Sequence, residues 1–221
     1  KMDITKYLDT WAAAYRNDLI ENIMPFWMKF GLDRKHGGIY TCLDRDGKLM
    51  DSTKSVWFQG RFGFIASYAY NHIEKKQEWL AASKSCIDFI ETHCTDIDGH
   101  LFFEVTEVGI PLRKRRYVFS ECFAAIAMSE YAIASGDKSY ATKALEIFKR
   151  TLKFLSTPGF LEPKYLPTLQ SRGHSITMIL INTASRIREV IEDPVLDRQI
   201  NESLTSIRQY FMHPEFKALL E

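Results

Sequence analysis

Trp57 and Arg61 stand four residues apart in Lys54-Ser-Val-Trp-Phe-Gln-Gly-Arg61, just before a small-residue run, Phe62-Gly-Phe-Ile-Ala-Ser-Tyr-Ala-Tyr70. In a helix that spacing is one turn, so the two side chains share a face. An indole can stack on a sugar ring. A guanidinium beside it can hydrogen-bond the sugar hydroxyls or a developing enediolate oxygen. A helix start with a core Trp and a surface Arg has the same spacing, so the pair alone does not decide between the two.

Other groups capable of chemistry are few. Of the six histidines, His36 precedes a Gly-Gly turn, His72 and His93 sit near helix ends, His100 follows Asp98-Gly99 and His213 precedes Pro214, which suits structural or exposed roles. His174, in Arg172-Gly-His-Ser175, opens a helix and is the one with a position suited to substrate or loop contact. Glu121 and Glu130 are the only tempting carboxylate pair for glycoside hydrolysis, but nine residues on one helix separate them by more than two turns. Cys42, Cys86, Cys94 and Cys122 form no CxxC pair and read as reduced, mostly buried thiols. Arg113-Lys-Arg-Arg116 is a basic run of the kind that usually marks a solvated loop. No P-loop and no metal-ligand spacing is present, so neither a cofactor nor a metal is expected.

The elements that must hold these residues follow from composition and pattern. A net charge of +1 over 221 residues with 46% apolar content suits a globular domain with a sizeable core, and not a nucleic-acid binder. No apolar run is long enough to span a membrane. The start, Lys1-Met-Asp-Ile-Thr5, lacks the apolar core of a signal peptide, which fits a cytoplasmic protein with Lys1 left by a tag. Residues 3–30 read as one helix, with Leu8, Trp11, Tyr15, Leu19, Ile23 and Trp27 on its apolar stripe, Pro25 inside it and Gly31 as its stop. Asp46-Gly47 predicts a hairpin. Helices follow near 55–73, 76–95, 119–135, 139–155, 174–191 and 195–212, with an extended stretch at Leu101–Thr106. Pro163 and Pro167 keep Glu162–Thr168 irregular.

This order repeats. Phe62-Gly-Phe-Ile-Ala-Ser-Tyr-Ala-Tyr, Trp79 and Ile87 lie over Phe123-Ala-Ala-Ile-Ala-Met-Ser-Glu-Tyr, Tyr140 and Phe148 at an offset of 61 residues, and a looser third copy starts near Met178. In each unit a helix rich in Ala, Gly and Ser precedes a more charged one. Small residues suit an inner ring and charges an outer one. A period of roughly 55–60 residues of paired helices marks a helical array or an α/α toroid; TPR- and HEAT-like scaffolds repeat at roughly 34 to 47 residues and lack hairpins between pairs.

With these stretches assembled, the chain resembles the N-acylglucosamine 2-epimerase family, which also holds cellobiose 2-epimerases and aldose–ketose isomerases. The matching segments are Phe26-Trp-Met-Lys, Gly37-Gly-Ile-Tyr, Leu43-Asp-Arg-Asp-Gly47, Lys54–Arg61, Arg116-Tyr-Val-Phe-Ser-Glu-Cys-Phe123, Glu130-Tyr131, Gly136-Asp137, Glu162-Pro-Lys-Tyr and Met178-Ile-Leu-Ile-Asn182. They run nearly end to end, and WxQGR after the hairpin is the most specific. YxFSExF and MILxN resemble the N-acylglucosamine branch; the cellobiose branch has a His–Glu pattern where this chain has Ile179–Asn182.

The resemblance implies an all-α (α/α)6 barrel with short β-hairpins between helix pairs. Residues 1–221 would form one domain, the N-terminal half to three-fifths of that barrel. It implies a sugar 2-epimerase interconverting N-acetyl-D-glucosamine and N-acetyl-D-mannosamine by proton transfer at C2. Arg61 would be catalytic, with Trp57, Tyr117, Met178, Asn182 and the nearby His174 binding substrate. Read without it, Met178 is a core residue and Asn182 a polar helix-face residue. The family's two catalytic histidines belong to a C-terminal half, and its PGHxxEAxW-like motif does not occur here. Seven helices are counted where twelve are expected, so the chain reads as part of a longer one. A homodimer is common in the family. A related aldose–ketose isomerase or cellobiose epimerase, or a non-catalytic carbohydrate-binding toroid, are the alternatives.

Overall fold

The computed structural model describes residues 3–114, 117–163, 165–166, 168–169 and 171–220. Arg115 and Arg116 of the basic run, Lys164 and Pro167 of the irregular segment, and the terminal Lys1, Met2 and Glu221 lie outside the described residues.

Asp3 caps the first helix by accepting the Thr5 and Lys6 amides. Helix α1 (Ile4–Asp18) runs on through a π-helical segment (Leu19–Ile23), a short α2 (Met24–Phe26) and a second π segment (Trp27–Gly31). The wider turns flank Pro25, which has no N–H to give to an ordinary ladder, so the run continues instead of breaking. The expected apolar stripe exists, but along α1 it does not enter a core, and Leu19, just beyond α1, is the first of its residues to pack against one. No residue of α1 is buried, with Trp11 46% and Tyr15 70% exposed. Burial begins at Met24, which packs with Met28, Ala69, Trp79 and Ala82.

The Asp46-Gly47 hairpin forms between β1 (Cys42–Leu43) and β2 (Leu49–Asp51), closed by Asp44 N–H to Lys48 O at 2.9 Å. The chain then enters β3 (Lys54–Ser55), a strand where pattern alone suggested the helix had begun. It pairs with β4 (Glu104–Val105), and β4 pairs with β5 (Pro111–Arg113), giving a small antiparallel sheet in the order β3-β4-β5.

Six further helices follow the expected order: α3 (Val56–His72), α4 (Gln77–His93), α5 (Phe119–Ser135), α6 (Ser139–Ser156), α7 (Ser175–Arg188) and α8 (Pro194–Tyr210). A hairpin not expected from sequence, β6 (Met212–His213) with β7 (Ala218–Leu219), ends the described chain. Helix α3 packs on α4, α5 on α6 and α7 on α8, while α3, α5 and α7 pack successively on one another. Small residues make this inner row possible. A Cβ at Gly60 would lie 2.6 Å from the Phe123 carbonyl carbon, so α3 and α5 meet backbone to backbone there. The main core lies between the two layers, with Ile87, Ile90, Ala124, Ala125, Met128 and Phe148 each 1% exposed or less.

The thiols of Cys86, Cys94 and Cys122 are buried and unpaired, whereas Cys42 is exposed. Among the described residues, no helix is long and apolar enough to cross a membrane.

Candidate functional site

The first turns of α3, α5 and α7 converge on one cavity of about 620 Å³. Trp57 from α3, Tyr117 and Phe119 from the start of α5, and Ser175 and Ile176 from α7 line it, with Tyr165 from the α6–α7 connection. Trp57 is half-buried and set in an aromatic collar. Phe103 meets it edge-on at 5.1 Å, Phe119 lies tilted at 5.2 Å and Phe123 at 6.0 Å. An indole held this way presents a fixed face, and a ring whose C–H face is apolar and whose edge is polar suits such a face.

Arg61 lies one turn along α3 and is exposed. Its guanidinium sits 4.3 Å from the Phe123 ring centre and 5.8 Å from that of Trp57. It lines a neighbouring apolar cavity of about 250 Å³ with Met24, Trp27, Phe58 and Ile65, and not the Trp57 cavity itself. Cation–π contact fixes it without neutralising it and leaves its donors available.

The rest of the Lys54–Arg61 motif is structural. Lys54 is fully buried, and its Nζ donates to Asp33 Oδ2 at 2.6 Å, Gly37 O at 2.7 Å and Glu107 O at 2.8 Å. All three ammonium hydrogens are thereby used. Burial raises the Asp33 pKa, but the Lys54 hydrogen bond and the His36 and Lys35 amides outweigh it and hold the carboxyl below its ordinary value. Gln59, also fully buried, accepts the Ile39 amide at 2.8 Å and donates to its carbonyl at 2.6 Å, as a neighbouring strand would. Gly38 makes this possible: its φ is +73°, and a Cβ there would lie 2.4 Å from Gln59 Oε1. These ties lock the loop before β1 onto α3 and fix where α3 begins.

The other candidates are distributed differently. Met178 is 51% exposed, so the reading of it as a core residue is corrected: α7 buries Ile179, Leu180, Thr183 and Ala184 instead. Asn182 is exposed on the same open face as Met178, and neither lines the cavity. His174 takes the N-cap position of α7 and its imidazole packs edge-on against Phe211 at 5.0 Å, so it too is outside the cavity lining. The two glutamates weighed as a carboxylate pair are both buried and serve separate places. Glu121 accepts the Leu101 amide at 2.6 Å, while Glu130 accepts from Asn71 Nδ2 at 2.7 Å. In the basic run, Lys114 is engaged by Asp96 at 2.6 Å and Asp98 at 2.5 Å, and Arg113 lies 5.4 Å from the Phe103 ring. Sequence reasoning missed Phe103 and Phe119 as the supports of Trp57; Phe119 lies inside the Arg116–Phe123 motif, whereas no motif marks Phe103.

A family model described as N-acylglucosamine 2-epimerase (GlcNAc 2-epimerase) matches residues 38–215. The N-acylglucosamine 2-epimerase of Rattus norvegicus is 29% identical over 192 residues, covering 84% of this chain and 46% of that protein. A cellobiose 2-epimerase of Ruminococcus albus is 30% identical over 139 residues, covering 62% of this chain and 35% of that protein. Among solved structures, the cellobiose 2-epimerase from Bacillus thermoamylovorans superposes with a TM-score of 0.85 at 20% identity, over 96% of this chain and 58% of that one. The chain therefore spans about half the length of the curated relatives it matches, 46% in the rat case. The structural likeness establishes the fold, with three inner–outer helix pairs forming an arc of an incomplete α/α barrel.

Proposed function

The chain belongs to the N-acylglucosamine 2-epimerase family, and from that premise we propose that it supplies the sugar platform and the anion-stabilising cation of a sugar 2-epimerase site, acting on N-acetyl-D-glucosamine and N-acetyl-D-mannosamine. One observation carries the reading. Trp57, in the first turn of α3, and Tyr117, two residues before α5, line the same cavity, and the Arg61 guanidinium stands 5.8 Å from the Trp57 ring.

The chemistry asks for these parts. The proton on C2 of the ring-opened sugar is acidic because it is alpha to the aldehyde. A base removes it and leaves an enediolate-like anion, and an acid on the opposite face returns a proton with inversion. The anion is the species a positioned cation stabilises, which is the role given to Arg61. Trp57 and Tyr117 hold the ring, and Asn182 and Met178, one turn apart on the exposed face of α7 and outside the cavity lining, reach the substrate where it extends beyond the cavity. No histidine is among the described residues that line the cavity. The MILxN form at 178–182 favours the N-acyl substrates over cellobiose.

The test is a titration of the protein from its complete reading frame with N-acetylmannosamine, N-acetylglucosamine and cellobiose, read by intrinsic fluorescence. Saturable binding of both N-acetyl sugars, lost in Trp57→Ala with an unchanged circular dichroism spectrum, is expected. Unchanged affinity in Trp57→Ala would overturn the site assignment. Tighter binding of cellobiose than of either N-acetyl sugar would move the substrate to the cellobiose class.

A further inference from the structure

Glu121 is a fully buried carboxylate to which the mechanism gives no part. It stands in the first turn of α5, four residues after Tyr117 and two before Phe123. Its Oε1 accepts the Leu101 amide at 2.6 Å and is also hydrogen-bonded to Nδ1 of the buried His100. Among the described residues Oε2 has no partner. A buried carboxylate with one oxygen unmatched costs several kcal/mol of desolvation, which only good geometry offsets. Pure stability would be served as well by an apolar side chain of the same volume. What the carboxylate supplies is a fixed attachment point for the segment 100–103.

That segment leads to the sugar platform. Ser120, next to Glu121, adds a second stitch by donating from Oγ to Phe102 O at 3.1 Å. Phe103 O accepts the Val56 amide at 2.9 Å, and its ring meets the Trp57 ring edge-on at 5.1 Å and 87°. The path is short and continuous: α5 holds Leu101 through Glu121, the segment holds Phe103, and Phe103 holds the indole that lines the cavity. We infer that Glu121 is a positioning residue for the substrate platform, acting through His100, Leu101 and Phe103 on Trp57. Its carboxylate locks the angle between α5 and the first turn of α3, which is the angle at which Trp57 and Tyr117 face a common ligand. The inference rests on the sugar-platform reading above for its consequence on binding, but not for the path itself.

The experiment labels the protein from its complete reading frame with 5-fluorotryptophan and follows the Trp57 ¹⁹F resonance, assigned with Trp57→Phe. Glu121→Met keeps the volume and removes the acceptor. It is expected to move and broaden the Trp57 line and weaken N-acetylmannosamine binding about tenfold. Glu121→Gln keeps the oxygen that makes both bonds and loses only the unmatched one, so it is expected to retain the wild-type line position and bind within about threefold. Leu196→Ala, in the α8 core, destabilises without touching the path and is expected to leave the line in place. A folded Glu121→Met with an unmoved Trp57 line would overturn the inference. Should Glu121→Met fail to fold, Phe103→Leu decides, because an unmoved Trp57 line there breaks the last step of the path. If the wild-type protein binds no N-acetyl sugar while the Trp57 line still responds to Glu121→Met, the platform reading fails and the positioning path stands.

Discussion

Replacing Gly60 by Ala tests how the inner row is built. Alanine is the better helix former, and in a helix interior the change is worth about 0.5–1 kcal/mol in favour of the variant. Here the new methyl carbon would lie 2.6 Å from the Phe123 carbonyl carbon, 2.7 Å from its Cβ and 2.8 Å from its oxygen. Carbon atoms settle at about 3.5–4.0 Å, so α3 and α5 must part by about 1 Å. Two of the three atoms are backbone, so no rotamer change relieves the clash. Overpacking of this kind costs about 1–3 kcal/mol, and with backbone atoms on both sides the upper half of that range applies, leaving a net loss of about 1–2.5 kcal/mol. In a domain of this size that lowers Tm by roughly 2–4 °C per kcal/mol. Urea and thermal unfolding followed by tryptophan fluorescence would read it. The same displacement moves Phe123, which lies 4.3 Å below the Arg61 guanidinium, so sugar affinity is expected to fall with stability. A Gly60→Ala variant as stable as the parent, or more so, would refute the backbone contact between α3 and α5.

Lys54→Met is expected to cost about 3–5 kcal/mol, since it leaves Asp33 buried without its cation; the urea midpoint measures this, and Asp33→Asn in the same chain should recover part of it. Because the folded Asp33 pKa lies below its unfolded value, its contribution is fully present above the unfolded value near 3.8 and is lost as pH falls through the folded value. The urea midpoint should therefore drop below about pH 4, with a shallower drop in the Lys54→Met, Asp33→Asn double variant. Burial pushes the thiols of Cys86, Cys94 and Cys122 up to about 12, so iodoacetamide at pH 8 should add once, at Cys42, to the folded protein and four times in denaturant, as read by intact mass. Arg61→Ala in the protein from the complete reading frame should lower kcat about 10²–10³-fold with little change in Tm, because the side chain is exposed. Asn182→Ala should raise KM and leave kcat nearly unchanged, and an unchanged KM would return Asn182 to a surface role.

The helix order was readable because the pattern is strong and local. Gly136 closes α5, Asp193 and Pro194 open α8, and the offset repeat announced paired helices. Three things were not readable. The stripe of α1 carries the spacing of a core face, yet spacing does not say what packs against it, and no residue of α1 is buried. Lys54 is charged and Gln59 polar, so neither suggests a buried position; only long-range partners at Asp33, Glu107 and Ile39 satisfy them. In the β3-β4-β5 sheet, the β3–β4 pair joins two-residue strands roughly fifty residues apart, too short for any alternation to appear. In the site, Trp57 and Tyr117 were legible through motif, whereas the support of Trp57 by Phe103 depends on β3–β4 pairing that no single segment encodes.

The most direct test of the sugar-epimerase account is C2 exchange. The protein from the complete reading frame is incubated with N-acetylmannosamine in D2O, and the C2 proton is followed by NMR. The account predicts loss of that signal together with the appearance of N-acetylglucosamine deuterated at C2, both slowed about 10²–10³-fold in Arg61→Ala. A folded protein that binds the sugar yet leaves its C2 proton intact would contradict it.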